Sequence, residues 1–89
     1  MLKILEKYLN MESLSKYNFE YLKTLQEYKR DFKSEGIAIV IDETTRNIYF
    51  RQLKDNSFPE MKAQEIFYQM VIDGLIENTS HSETNKFHK

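Results

Sequence analysis

The chain has 89 residues, of which 40% are hydrophobic and 13% aromatic, and its 13 basic and 14 acidic side chains leave a net charge of -1. This length supplies one core and predicts a single domain. The absence of cysteine excludes a disulfide framework and thiolate chemistry. Basic and acidic side chains are interleaved rather than pooled, which argues against a nucleic-acid partner, because phosphate binding depends on clustered lysine and arginine.

The N-terminal third of the chain predicts two helices. Leu2, Leu5 and Leu9 mark one face of a short helix. Farther on, apolar residues are spaced by three and four, which predicts a long helix over about residues 13–34: Leu14, Tyr17, Tyr21, Leu25, Tyr28 and Phe32. Asn18 leaves open a break in this helix, because asparagine prefers a cap to a helix interior. Gly36 stands where a left-handed residue would end the helix.

A strand-turn-strand segment follows, with its strands at residues 37–42 and 47–53. The turn contains Asp, Thr and Asn, whose side chains hydrogen-bond the local backbone. On the second strand Tyr49, Arg51 and Leu53 point to one face, while Ile48, Phe50 and Gln52 point to the other. The first strand is apolar on both faces, which indicates burial on two sides. Because a two-stranded ribbon is marginally stable alone, we expect the chain's own helices to cover one face and a partner to cover the other.

The last third of the chain predicts one more helix and a tail. Ser57 and Glu60 have the spacing of a capping box, and Pro59 favours the first helical turn. A strong apolar face follows: Ala63, Ile66, Phe67, Met70, Val71 and Leu75. This helix should end between Asp73 and Asn78, with Gly74 either stopping it or being tolerated within it. The polar residues 79–89 are typical of a flexible tail.

The predicted fold class is therefore α+β, in one domain over residues 1–78. It comprises a short helix, a long helix, an antiparallel two-stranded hairpin, a C-terminal helix and a disordered tail.

Catalytic residues are scarce in this sequence. The two histidines, His81 and His88, fall in the predicted tail, where nothing would hold them in a catalytic geometry. Asp42, Glu43 and Asp55 lie near one end of the hairpin and leave a small metal-dependent enzyme as an alternative. We expect a protein without enzymatic activity, cofactor or resident metal.

The residues predicted to contact a partner are Tyr49, Arg51, Leu53, Ile39 and Tyr68. Tyrosine and arginine are enriched in protein interfaces, and Tyr49 and Arg51 share one strand face. We expect an adaptor or inhibitor that occludes a partner surface, either docked on another protein or paired with itself as a homodimer.

The N-terminal residues are too few and too charged for a signal peptide, and no apolar run approaches the ~20 residues of a membrane-spanning helix. With the lack of cysteine, these features predict a cytoplasmic protein with no membrane partner. The abundance of Lys, Asn and Tyr is typical of AT-rich bacterial or phage genomes. The alternative function is a transcriptional regulator that binds nucleic acid through a degenerate winged-helix-like unit around Gly74-Leu75-Ile76.

The run Val40-Ile41-Asp42-Glu43-Thr44-Thr45, with Arg51-Gln52, Pro59-Glu60 and Gly74-Leu75-Ile76, resembles the conserved half of the flagellar FlaG family. That pattern implies a strand, an acidic turn, a second strand and a helix opened by Pro and Glu. This chain inserts residues 54–58 before the proline, and a helical pattern stands where the family would have a preceding strand. The resemblance covers less than half of the chain.

Overall fold

The computed structural model describes residues 1–79 of the chain. The described residues form an α+β fold with antiparallel sheets of four and two strands and two helices. The elements in chain order are β1 (Leu2–Ile4), α1 (Met11–Leu14), β2 (Glu20–Leu22), β3 (Glu27–Phe32), β4 (Ile37–Asp42), β5 (Ile48–Gln52), α2 (Met61–Ile72) and β6 (Ile76–Asn78). Short 3₁₀ turns lie at Glu6–Tyr8, Ser15–Tyr17 and Lys33–Glu35.

The larger sheet is a meander in the order β2-β3-β4-β5, with every pair antiparallel. β4 is an inner strand, and its Ile39 lies opposite Arg30 of β3 on one side and Phe50 of β5 on the other. Directly paired residues of an antiparallel sheet point to the same face. The register therefore fixes which side chains of β3, β4 and β5 share each face of the sheet.

The predicted strand-turn-strand segment is confirmed as β4 and β5. In the connecting turn, the Asp42 carboxylate accepts hydrogen bonds from the backbone N–H groups of Thr44 and Thr45 at 2.8 and 2.9 Å. The Thr45 hydroxyl accepts another from the N–H of Asn47 at 3.2 Å. Arg46 adopts the left-handed conformation, with a φ of 68°. Aspartate and threonine side chains thus hold the turn locally, as the sequence indicated.

The predicted long helix over residues 13–34 is wrong. Helical structure here comprises α1, the 3₁₀ turn Ser15–Tyr17, which ends at the left-handed Asn18, and the 3₁₀ turn that begins at Lys33. The chain then forms β2, a short turn and β3, with Tyr21 directly opposite Tyr28. Their ring centroids are 4.8 Å apart. A hairpin that folds back between these tyrosines brings them to one face just as two turns of helix would, so the spacing fits both structures.

The predicted N-terminal helix is also wrong. Leu2–Ile4 is strand β1, which pairs antiparallel with β6. Asn10 caps α1, because its side chain accepts a hydrogen bond from the N–H of Ser13 at 2.8 Å. The N–H of Thr79 donates to the carbonyl of Met1 at 3.0 Å, which ties the first residue of the predicted tail to the chain start. Residues 80–89, with His81 and His88, lie outside the described residues.

Both faces of β4 are buried within this single chain. Ile37, Ile39 and Ile41 point to the face covered by α2 and the N-terminal turns. Their core neighbours include Ile4, Leu14, Tyr17, Phe19, Tyr28, Phe32, Ile48, Ala63, Met70 and Leu75. Ala38 and Val40 point to the opposite face and are also fully buried. The expectation that a partner must cover one face of the ribbon is therefore wrong, since β3 and β5 flank β4 and their long side chains cover Ala38 and Val40.

The C-terminal helix is confirmed as α2, but the predicted capping box is wrong. The residue at its N-cap is Glu60, whose side chain makes no capping hydrogen bond. The cap comes instead from Glu35, in the 3₁₀ turn before β4. Its carboxylate accepts hydrogen bonds from the N–H groups of Glu60, Lys62 and Ala63 at 3.0, 3.0 and 3.3 Å. A distant acidic side chain thus satisfies donors that a helix start leaves free.

The turn that carries Glu35 is held against the segment that precedes α2. Gly36 has a φ of 67°, and a Cβ at this position would lie 2.5 Å from the Ser57 hydroxyl oxygen. The carbonyl of Gly36 accepts a hydrogen bond from the N–H of Leu53 at 2.8 Å. The Gln52 side chain donates to the carbonyl of Ser57 at 2.8 Å. Gly36 is left-handed as predicted, but it closes a 3₁₀ turn and not a long helix.

The other end of α2 is closed at Gly74, which has a φ of 82°. The N–H of Gly74 donates to the carbonyl of Val71, and the N–H of Leu75 donates to the carbonyl of Met70, each at 3.0 Å. These two bonds form a Schellman motif, in which a left-handed glycine ends a helix. Gly74 therefore ends the helix, which was one of the two roles predicted for it, and does not lie within it.

Candidate functional site

The structure separates the five residues predicted to contact a partner. Ile39 is fully buried in the core, so its side chain presents no surface. Tyr49 and Arg51 lie together on the sheet face opposite to α2. Leu53 follows the end of β5 and is exposed. Tyr68 lies on the outer side of α2, away from the other four.

We call the sheet face opposite to α2 the helix-free face, defined by Glu27, Lys29, Asp31, Ala38, Val40, Tyr49 and Arg51. Arg51 donates two hydrogen bonds to the buried carboxylate of Glu27, at 2.9 and 3.0 Å. It donates a third to the Tyr49 hydroxyl at 3.1 Å. The hydrogen bond to Glu27 raises the pKa of Arg51 above its ordinary value. A second ion pair on this face joins Lys29 and Asp31, whose charged atoms are 3.5 Å apart.

The polar contacts that Arg51 makes on the helix-free face are with other residues of the same sheet. A bidentate arginine-carboxylate pair is a strong and directional contact, and here it fixes Arg51 to its own sheet. The stems of Arg51 and Lys29 also cover apolar surface beneath them. We conclude that the helix-free face is mainly a polar cover for β4.

A second surface runs along the outside of α2. Met61, Tyr68 and Ile72 are 77%, 65% and 59% exposed. Together with Glu65 they stand at spacings of four, three and four, which places all four within an arc of about 60° on a helix. We call these four residues the α2 stripe. The apolar side chains Phe58 and Val71 are exposed beside it.

The α2 stripe lies directly opposite the buried side of the same helix. Ala63 and Met70 are fully buried, and Phe67 packs against Phe50 of β5 with ring centroids 5.2 Å apart. An ordinary surface helix has one apolar side and one charged side. The outer side of α2 has a mixed composition: the stripe carries the exposed apolar and aromatic residues Met61, Tyr68 and Ile72 with one charge, Glu65, and the exposed polar residues Lys62, Gln64 and Gln69 flank it.

The sequence pattern assigned α2 its apolar face but did not identify the whole stripe. Tyr68 was predicted as a contact residue, whereas Val71, which is exposed, was assigned to the core face. The available signal was a second apolar series at helical spacing, Met61-Tyr68-Ile72, about half a turn from Ala63 and Met70.

The acidic residues considered for a metal do not form a site. The Asp42 carboxylate accepts bonds from its own turn, and Glu43 accepts a hydrogen bond from the Tyr21 hydroxyl at 2.6 Å. Within residues 1–79, no cluster of three or more His, Cys, Asp or Glu side chains could hold a metal ion. No ligand-sized pocket occurs in the part of the chain that the structure describes.

A tyrosine-aspartate pair links the N-terminal turns to the end of α2. The Tyr17 hydroxyl donates to Asp73 at 2.6 Å, and Gln69 donates to the other carboxylate oxygen at 2.9 Å. Burial, followed by the hydrogen bond to Asp73, raises the pKa of Tyr17 to about 12. The same hydrogen bond lowers the pKa of Asp73. With no cleft beside it, this pair has the features of a structural contact.

In the basic run Lys29-Arg30-Asp31-Phe32-Lys33, the first two basic side chains make contacts within the fold. Lys29 pairs with Asp31, and Arg30 donates to the carbonyl of Tyr17 at 2.9 Å while its guanidinium lies 4.6 Å from the centre of the Phe32 ring.

Among residues 1–79, no helix has the length and hydropathy needed to span a bilayer.

Comparisons with known proteins returned no match: no family model, no curated protein and no solved structure is similar to this chain. The resemblance to the flagellar family is therefore not supported by a family model. One of its stated departures does disappear, since β3 is a strand that precedes β4.

Proposed function

We propose that this chain is a small, non-enzymatic protein-binding module that acts as an adaptor or inhibitor by occluding a surface of its partner. One observation carries the proposal, namely the α2 stripe on the solvent side of a helix whose other side is already buried. An ordinary surface helix presents a charged and polar outer side, whereas α2 exposes Met61, Tyr68 and Ile72 there. Contiguous exposed apolar patches on a soluble domain mark interaction surfaces.

The chemistry of the α2 stripe suits a protein partner. Tyr68 lies near its middle and can place an aromatic ring in a partner's surface while its hydroxyl bonds at the rim. Met61 and Ile72 extend the apolar contact toward the two ends of the helix. This arrangement corresponds to recognition by a helix face, with anchors at helical spacing. It replaces the sheet ribbon as the proposed docking surface, because the ribbon is covered by its own chain.

The proposal is tested by photo-cross-linking from the α2 stripe. Tyr68 is replaced with the photoreactive amino acid p-benzoylphenylalanine, and a matched control carries the same group at Leu25, which is 61% exposed on the turn between β2 and β3. Irradiation should give one discrete protein adduct from position 68 and none from position 25. Adding Ile72→Lys should reduce that adduct by roughly tenfold, corresponding to about 1.4 kcal/mol of lost contact.

Two results would overturn the proposed function. Equal adduct yields from positions 68 and 25 would show random collision, and a yield at position 68 unaffected by Ile72→Lys would show that the stripe is not the contact. Ile72 is exposed, so this substitution should leave the melting temperature nearly unchanged.

A further inference from the structure

The spacing of the α2 stripe is the same read from either end of the helix. The helix runs from Met61 to Ile72, so its midpoint falls between residues 66 and 67. Met61 and Ile72 are equally distant from that midpoint, and so are Glu65 and Tyr68. If two copies of α2 lie antiparallel in full overlap, each of these residues faces its counterpart in the second copy.

We propose that the partner is a second copy of this chain, bound by antiparallel packing of α2 against α2. The inference rests on the proposed function and specifies its partner. A two-fold axis requires a self-complementary patch, in which residue i meets j and j meets i. Here Met61 meets Ile72 of the second copy at both ends of the helix pair. The Tyr68 hydroxyl of each copy lies against the Glu65 carboxylate of the other copy, which gives two equivalent contacts.

Charge and polarity favour this arrangement over a partner of another composition. Tyr68 supplies a hydrogen-bond donor and Glu65 an acceptor, so the polar groups of one stripe are satisfied by the antiparallel stripe of the second copy. The charged residues of α2 are Lys62 and Glu65, so the helix itself carries no net charge. Antiparallel helices also place the positive end of each helix dipole beside the negative end of the other.

The size of the surface predicts a reversible dimer. The α2 stripe comprises four residues, whereas a standard stable interface uses about 20–30 residues on each side. The dimer should therefore form with rising concentration. In sedimentation experiments the wild-type mass should rise from 10.8 kDa toward twice that value as concentration increases. Tyr68→Glu, which sets two carboxylates against each other, should stay monomeric with an unchanged circular dichroism spectrum.

The orientation is tested with cysteine pairs, since the chain contains no native cysteine. We expect Met61→Cys mixed with Ile72→Cys to form a mixed disulfide on mild oxidation. In the antiparallel pair, two copies of position 61 lie about 16 Å apart along the helix axis. That exceeds the roughly 4–7 Å between Cα atoms that a disulfide spans. Each variant alone should therefore give at least tenfold less product, as should Leu25→Cys mixed with Ile72→Cys.

Each alternative outcome is informative. A dominant disulfide between two copies of position 61 would show parallel helices and overturn the proposed arrangement. No disulfide above the Leu25 control, with a monomer in sedimentation, would overturn self-association. In that case a Tyr68 photo-adduct to a different protein would preserve the proposed function, and the absence of any such adduct would remove the function as well.

Discussion

The cap on α2 allows a sharp test of how this chain is held together. Glu35 is distant in sequence from the helix. Its carboxylate accepts hydrogen bonds from the N–H groups of Glu60, Lys62 and Ala63 at the start of α2. Glu35→Ala removes these acceptors and one negative charge from the positive end of the helix dipole. Glu60→Ala is the matched control, because it removes a charge at the same helix end without removing a hydrogen bond.

The two substitutions should differ by the value of the hydrogen bonds. Loss of a side-chain cap costs about 0.5–2 kcal/mol, and loss of a favourable charge at a helix end costs about 0.3–1 kcal/mol. We expect about 2 kcal/mol for Glu35→Ala and under about 1 kcal/mol for Glu60→Ala. For a domain of this size, 1 kcal/mol shifts the melting temperature by about 4–8 °C. The Glu35 variant should therefore melt roughly 10 °C below wild type.

Thermal and urea unfolding, followed by circular dichroism, measure both effects. All proteins should be compared at one low concentration, because association of the folded state would add stability that depends on concentration. Equal losses for Glu35→Ala and Glu60→Ala would refute the reasoning, since only the charge would then matter. Glu35→Gln should fall between the two, as it keeps one acceptor oxygen and loses the charge.

Three further outcomes are expected. Arg51→Ala should lower the free energy of unfolding by about 1–3 kcal/mol, because it leaves the Glu27 carboxylate buried without its partner, and a double-mutant cycle with Glu27→Ala measures their coupling. Ile39→Asp should abolish the native circular dichroism spectrum, since it places an unpaired charge in the core. The pKa of Tyr17 is raised to about 12 in the folded protein. The protonated Tyr17 hydroxyl therefore contributes its full stabilisation below the ordinary tyrosine pKa of about 10, and this contribution is lost as the pH rises through the pKa of the folded protein. Asp73, with a lowered pKa, contributes above about pH 4 and loses its contribution in stronger acid. Tyr17→Phe should flatten the alkaline fall measured by urea unfolding at each pH, and an unchanged slope would contradict this assignment.

Elements with strong local signals could be predicted from the sequence. The β4–β5 hairpin followed from an apolar run, an alternating strand and a turn rich in side chains that bond their own backbone. α2 followed from its apolar periodicity, and Gly74 was recognised as a possible stop. Tyr49 and Arg51 were placed correctly on one face, because alternation along a strand is a local property.

Residues 14–32 could not be predicted because their spacing fits two structures. Tyr28 and Phe32 are four apart, which is close to one helical turn and equals two strand repeats. The residue between them on the same strand face is Arg30, which breaks the apolar alternation of a half-buried strand. Its guanidinium is satisfied by the carbonyl of Tyr17, a contact that no local pattern reveals. The turn before β3 contains no glycine, proline, asparagine or aspartate, and its left-handed residue is Gln26.

The site depended on the same missing strand. Without β3, the apolar residues of β4 required a foreign cover, and Ile39 was assigned to a partner surface. With β3 present, the apolar side chains on the helix-free face of β4 are the short ones of Ala38 and Val40, and the Arg51–Glu27 pair spans them from the flanking strands. The proposed docking surface therefore lies on α2, whose outer apolar residues Met61, Tyr68 and Ile72 are exposed within residues 1–79. An apolar strand between two neighbours is a core element, whereas an apolar helix side facing solvent is a surface that binding would stabilise.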